Sequence, residues 1–262
     1  MSEPRREERI AAALAARGAL RGGAGLVDVA CPDSVYDVVG AAAAEALVHP
    51  LATDGEGLFA AHTDAFEPLV EQATAVVLGP GLGTAGAAEA ITRHLVAQVS
   101  VPLVVDADGL NVLGEDLASL SAARGPRVLT PHPGEAARLL GCATAEVQAD
   151  RPAALKRLVE ESHGVVVLKG YRTLVGAPGR PIVVNPTGNP GMATGGTGDI
   201  LAGLIGALLA QGLEPWCAAW VGAWLHGAAG DRVAAGGAEM ALTAGDVAEA
   251  LPAAFADLAE LT

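Results

Sequence analysis

The chain has 262 residues and a mass of 26.0 kDa, enough for one large domain or two small ones and for burying most of its apolar surface, which excludes disorder. Hydrophobic residues make up 51% and charged ones 18%, with a mean hydropathy of +0.39, yet no apolar run reaches a bilayer span, so a core-rich soluble protein is expected. A net charge of −14, with no Lys/Arg cluster beyond the first nine residues, argues against nucleic acid and anionic membranes as partners.

In chain order, a helical stretch over 14–21 precedes a series of short β-branched or leucine runs at 26–30, 75–78, 103–106, 127–130, 165–168, 174–175 and 182–184. Alanine-rich stretches with helical spacing, such as 85–99 and 135–140, lie between most of them. Such alternation predicts an α/β protein whose mainly parallel central sheet carries helices on both faces. From 200 onward the apolar segments 200–211, 216–235 and 246–258 contain no strand-like run, so the C-terminal third is expected to be helical. No repeat or linker divides the chain, and 1–262 reads as a single domain. The opening MSEPRREER has as many Glu as Arg and reads as no targeting segment. Cys31, Cys142 and Cys217 are too few and too scattered for a disulfide framework or a Cys-rich zinc site, which fits a cytoplasmic location.

After the run at 75–78, Gly81-x-Gly83-x-x-Gly86 has dinucleotide-binding spacing, and Asp106 ends a later strand at the fingerprint's distance. A strand and a helix precede it, however, and chance matches are cheap with 34 glycines. The milder reading is a glycine turn that lets a ligand approach the backbone. More chemistry sits in Asn185-Pro-Thr-Gly-Asn-Pro-Gly-Met-Ala-Thr-Gly-Gly-Thr-Gly-Asp199, which opens directly onto an apolar helix. Gly195, Gly196, Thr197 and Gly198 would let an anion reach the free amides and the positive dipole end of that helix. Thr197 stands where a P-loop would place lysine. A carboxylate beside an anion site repels the ligand unless it serves the reaction, so Asp199 is the candidate general base toward a substrate hydroxyl. The plainer reading is a favourable acid at a helix start.

Six ordered segments, Gly79-Pro-Gly-Leu-Gly83, Val104-Val-Asp-Ala-Asp-Gly-Leu-Asn111, Leu129-Thr-Pro-His-Pro-Gly-Glu135, Leu168-Lys-Gly-Tyr-Arg-Thr173, Asn189 to Asp199 and His226-Gly-Ala-Ala-Gly-Asp231, resemble the ADP-dependent NAD(P)H-hydrate dehydratase family, which has the ribokinase-like fold. The resemblance implies that the S epimer of NADHX or NADPHX is dehydrated to the reduced cofactor, with ADP giving AMP and phosphate. It implies Asp199 as the catalytic base, with Ala11, Gly81 or Gly83, and His132 also at the substrate. It further implies Lys169, Gly170, Tyr171, Arg172, Thr173 and Gly198 at the nucleotide, with Mg2+ as cofactor. Glu135, three residues after His132, is a candidate magnesium ligand and equally an ordinary first-turn acid. Family members begin with a basic, glycine-containing strand and a Gly-Gly-Ser type of loop. Here MSEPRREERI stands instead, so that strand is expected to be missing, with Ala11 on the family's loop alanine and Ile10 where glycine is expected. A small-alcohol kinase of the same fold, such as a hydroxymethylpyrimidine-type kinase, is the second reading. A nucleotide-binding protein without activity is the third, and a Rossmann oxidoreductase comes last. Trp216, Trp220 and Trp224 recur every four residues as a core or subunit stripe, which suggests a homo-oligomer such as a tetramer. His226 is expected to be structural.

Overall fold

Short β-branched runs form interior strands when both of their faces can be covered, and the chain supplies helices for both. The computed structural model describes residues 8–54, 57–60 and 63–260; the expectations for residues 1–7 lie outside the described residues. The order of elements is α1 (Glu8–Arg21), β1 (Asp28–Pro32), α2 (Tyr36–Ala42), β2 (Leu47–Leu51), α3 (Glu67–Gln72), β3 (Val76–Leu78), α4 (Ala88–Gln98), β4 (Leu103–Val105), α5 (Ala107–Leu113), β5 (Arg127–Leu129), α6 (Pro133–Leu139), α7 (Thr144–Ala149), α8 (Arg151–Ser162), β6 (Val165–Leu168), β7 (Leu174–Gly176), β8 (Val183–Val184), α9 (Thr197–Ala210), α10 (Pro215–Val233) and α11 (Ala244–Glu260). After Asp199 every regular element is helical, as the sequence predicts.

Strands β3 to β8 lie side by side in chain order, parallel from β3 to β6 and antiparallel at β7 and β8. Their side chains alternate between two cores. Leu103, Val105, Leu129, Val166 and Leu168 pack with residues of α4, α5, α6 and α8. Val104, Val128, Val165, Val167 and Val175 pack with α9, α10 and α11 on the other face. This period of two, with both sets buried, is why these strands read as unbroken apolar runs.

The mainly parallel central sheet is thus present, but the first run of the series stands apart from it. Among the described residues β1 pairs with β2 alone, in parallel, as a separate two-stranded sheet. β2 itself was not legible in the sequence, because Pro50 lies in it. Proline lacks an amide donor and is tolerated here because β2 is an outer strand, where Pro50 lies opposite Cys31. Arg127, which opens β5, is buried. Its guanidinium donates to the Val96 and Val99 carbonyls (2.7 Å each), so it closes the C-terminal end of α4.

The largest helix contact sets α1 along α9. A Cβ at Gly203 would overlap the Ala15 carbonyl oxygen, and one at Gly18 would overlap that of Ile200, so the two backbones touch where both helices carry glycine. Overpacking this seam has a defined cost: Gly203→Val should lower stability by about 1–3 kcal/mol. Gly25→Ala, with nothing within 4 Å of its Cβ position, should stay within about 0.5 kcal/mol. Urea denaturation of the two variants checks the contrast.

Candidate active site

The glycine-dense segment ahead of α9 is held from beneath by α10. Asn185 Nδ2 donates to the Ala223 carbonyl (3.0 Å) and the Thr187 hydroxyl to that of Trp224 (2.9 Å). Asp231 accepts from the Gly188 amide (2.8 Å) and Asn189 Nδ2 (3.0 Å). The Asp231 of the His226 motif therefore fastens this loop rather than pairing with His226. The Thr197 hydroxyl donates to the carbonyls of Met192 (2.9 Å) and Thr194 (3.1 Å), which closes the loop onto the helix start. The first intrahelical bond of α9 runs from the Ile200 amide to the Gly196 carbonyl, leaving the amides of Thr197, Gly198 and Asp199 ahead of the helical ladder. His226 is buried and hydrogen-bonds to the Thr197 backbone. Burial pushes its pKa down to about 4, so it packs as a neutral ring, in its expected structural role.

Over this helix end lies a cluster of charges. Lys169, at the end of β6, places its ammonium 2.7 Å from Asp106 Oδ1 and 3.8 Å from Glu135 Oε2. Asp106 is 1% exposed and Glu135 is 7% exposed at the side chain. A Cβ at Gly198 would lie 3.3 Å from Lys169 Nζ, so the absence of a side chain there admits the ammonium to the start of α9. Burial works against the Lys169 charge, but Asp106, Glu135 and Asp199 together hold its pKa above the ordinary lysine value. Burial, and then the neighbouring Asp106, push the Asp199 carboxyl up to about 7, with Lys169 opposing. Glu135 is likewise pushed up to about 7 by burial.

Three further loops complete the rim. At Gly79 the backbone has φ +121° and a Cβ would overlap the Asp106 carbonyl oxygen, so only glycine lets the end of β3 lie against the end of β4. The Gly83 amide donates to Asp108 Oδ2 (2.9 Å), which fixes the Gly81–Gly83 turn. Between Asp106 and Asp108, Ala107 has φ +46°, an unusual conformation for a residue with a side chain. His132 caps α6: its Nδ1 accepts from the Gly134 amide (2.9 Å), and Glu135 Oε2 accepts from the His132 amide (2.7 Å) in a capping box. The turn after β6 is strapped by Arg151, which donates to the carbonyls of Leu168 (3.0 Å), Lys169 (3.2 Å) and Tyr171. The Thr173 hydroxyl donates to the Gly170 carbonyl (3.1 Å). The Tyr171 side chain is exposed, and Arg172, with φ +51°, lies over its ring.

The structure thus brings Asp199, Lys169, Gly198 and Glu135 together, with His132 beside them. Ala11 lies in helix α1 rather than on a loop, one turn before Leu14, whose Cδ1 would meet a Cβ at Gly196 at 2.5 Å. Asp106 was legible in the Val104 to Asn111 segment and as the end of a dinucleotide fingerprint, but with no role of its own. Its burial against Lys169 removes it from any ribose contact, and α4 begins at Ala88, after the glycine turn has ended. Asp108 and Arg151 were missed as functional supports: Asp108 stood in the Val104 to Asn111 segment with no role assigned, and the Asp150-Arg-Pro helix start carries no spacing signal. Among the described residues no three His, Cys, Asp or Glu side chains form a metal cage. Glu135 is engaged with the His132 amide and the Lys169 ammonium, so the donor set does not fit a resident metal ion.

A parallel-sheet α/β protein whose buried acid faces a glycine-rich helix N-terminus has the architecture of the ribokinase-like class. A family model described as NAD(P)H-hydrate dehydratase matches residues 9–253, and the chain belongs to that family. It is 44% identical over 250 residues to a bifunctional NAD(P)H-hydrate repair enzyme Nnr of Moorella thermoacetica, covering 94% of this chain and 47% of that protein. It is 48% identical over 178 residues to an ADP-dependent (S)-NAD(P)H-hydrate dehydratase of Neisseria meningitidis, covering 66% and 60%. The chain therefore spans about half the length of the curated relatives it matches. Among solved structures, the ADP/ATP-dependent NAD(P)H-hydrate dehydratase of Bacillus subtilis co-crystallised with ATP/Mg2+ superposes with a TM-score of 0.81 at 28% identity, covering 95% of this chain and 85% of that one. A ribokinase-like superfamily protein of Enterococcus faecalis gives 0.78 at 29%, covering 93% and 81%.

The cluster sets two outcomes for stability. Both Asp199 and Glu135 have folded-state pKa values raised above the ordinary carboxylate range, so the folded protein holds more protons than the unfolded chain. Their contribution is full at acid pH and is lost as pH rises toward and through about 7. Lys169→Met leaves the carboxylates without their counter-ion and should cost about 3–5 kcal/mol. Denaturation at pH 5 and pH 8 should show the larger loss at pH 8, where the carboxylates must be ionised.

Proposed function

We propose that this chain carries out the ADP-dependent dehydration of the S epimer of NADHX and NADPHX, giving NADH or NADPH with AMP and phosphate, and that 1–262 acts as one catalytic domain. The observation that carries the reading is the placement of Asp199, a carboxyl pushed up to about 7, at the amide end of α9 and within the field of Lys169. Family membership over residues 9–253 supports it.

In this reading the Asp199 carboxylate takes the proton of the C6 hydroxyl, and that oxygen attacks the β-phosphorus of ADP. The bond from the β-phosphorus to the bridging oxygen breaks and AMP leaves. The amides of Gly195 to Gly198, leading into α9, face the charge on the transferring group. The ring nitrogen then pushes its electron pair toward C6 as phosphate departs, and loss of a C5 proton restores the dihydropyridine. Gly81 or Gly83, His132 and Ala11 would hold the hydrate, and the turn from Lys169 to Thr173 the nucleotide. Lys169 acts there through its main chain and through its charge, since its ammonium is engaged with Asp106. Magnesium would reach the site with the nucleotide phosphates. The proposal extends to a cytoplasmic setting and a homo-oligomer. Among the described residues no helix is long and apolar enough to cross a membrane.

Reduced-cofactor absorbance after adding the chain to NADHX, magnesium and ADP tests the reading, with a control lacking nucleotide. A nucleotide-dependent rise is expected. Phosphorylated product accumulating without reduced cofactor would instead identify a kinase. Asp199→Asn should lower kcat by about 100-fold or more while ADP binding stays within a few-fold. Because the base works only when ionised, kcat/KM should climb with pH on a limb centred near 7, and a flat profile from pH 5 to 9 would remove Asp199 from that role.

A further inference from the structure

Two of the places proposed to hold the hydrate, the Gly81–Gly83 turn and His132 at the head of α6, are joined by a line of polar side chains. Gly81 and Gly83 have φ of +72° and +76°, a conformation that favours glycine, and glycine brings no side chain with which to anchor a turn. The Leu82 amide donates back to the Gly79 carbonyl (3.0 Å) within the turn, whereas the Gly83 amide donates outward to Asp108 Oδ2 (2.9 Å). The other Asp108 oxygen, Oδ1, accepts from Asn111 Nδ2 (3.4 Å), one turn further along α5. Asn111 Oδ1 accepts in turn from the guanidinium of Arg138, on α6 one turn after Glu135. Each Asp108 oxygen thus has its own donor, which restricts the carboxylate to one orientation. Asn111 stands between a cation and an anion, so its amide faces one way, oxygen to Arg138 and nitrogen to Asp108. Donor and acceptor alternate from exposed Arg138, through half-buried Asn111 and Asp108, to the backbone of the turn.

We propose, on the dehydratase reading of the site, that Asn111 and Arg138 are positioning residues for the hydrate: acting through Asp108, they tie the Gly81–Gly83 turn to α6, so that the turn and His132 meet the ligand as one unit. A turn whose amide is already fixed presents its other backbone groups in one arrangement, and that ordering is not spent again when the ligand binds. Breaking the relay therefore weakens binding more than it slows the chemical step. Asp108 also contributes to the field at Asp199, so a charge effect on the base has to be told apart from a loss of positioning.

The relay can be reversed without being removed, and that reversal is the test. Asp108→Asn alone sets one donor against another, whichever way the new amide turns, and Asn111→Asp alone sets carboxylate against carboxylate. With both changes together, the amide at 108 accepts from Gly83 and donates to the carboxylate at 111, which accepts from Arg138, and the alternation returns. The two single changes alter the charge near Asp199 in opposite senses, yet each is expected to raise KM for NADHX by about tenfold with kcat within about threefold. The double variant is expected to bring KM back to within about threefold of the unsubstituted chain, and Arg138→Ala, at the exposed end, to raise it by about threefold. Amide exchange at Gly83, followed by NMR without substrate, should be about tenfold faster in each single variant and restored in the double. Opposite KM shifts in the two single variants, as a charge effect on Asp199 would give, would overturn the proposal. So would a double variant no better than the singles, or Gly83 exchange unchanged throughout. Absence of turnover in the unsubstituted chain would count against the dehydratase reading, while Gly83 exchange would still decide whether the relay holds the turn.

Discussion

One buried ammonium organises the working end of this molecule. Lys169 Nζ, 2.7 Å from Asp106, makes it possible for three carboxyl groups from three different elements to converge on the start of α9. Without that charge their mutual repulsion and desolvation would push the ends of β4, α6 and α9 apart. The remainder of the architecture serves this arrangement. The parallel strands deliver Asp106 and Lys169 to the same edge of the sheet, Gly198 leaves room for the ammonium, and the α10 contacts through Asn185, Thr187 and Asp231 hold the glycine loop from below.

The cluster also explains why an acid can stand beside an anion-accepting helix end. Asp199 is kept poised near neutrality by burial and by Asp106, and restrained from further rise by Lys169. A carboxylate with an ordinary pKa would be fully charged and a weak base, whereas this one combines proton affinity with a place among the free amides that open a helix. Electrostatics and helix geometry thus meet in a single residue.

Much of this was legible in the sequence. Strands β3 to β7 fall within a residue or two of the β-branched runs, because burial on both faces leaves an unbroken apolar signature. The glycine loop and Asp199 stood out because a helix start preceded by Gly-Gly-Thr-Gly has few structural excuses. What escaped were features that depend on contacts distant in sequence. β2 hid behind Pro50, the separation of β1 and β2 from the main sheet depends on pairing rather than composition, and the bonds of Asp108 and Arg151 to main-chain groups join segments distant in sequence. Asp106 was visible in its segment without a role, since spacing alone could not reveal that its partner lies 63 residues further on.

The left-handed Ala107 carries a consequence for how the molecule can change. Its side chain stands in a conformation that costs on the order of 1 kcal/mol or more, at the corner where Asp106 turns inward to the ammonium and Asp108 outward to the glycine turn. That strain is a reserve of unrealised stability: a glycine there would relax the backbone and at the same time free the two carboxylates to wander. At this residue robustness and precision pull in opposite directions, so a lineage selected for heat tolerance alone would be drawn to loosen the corner that aims its charges.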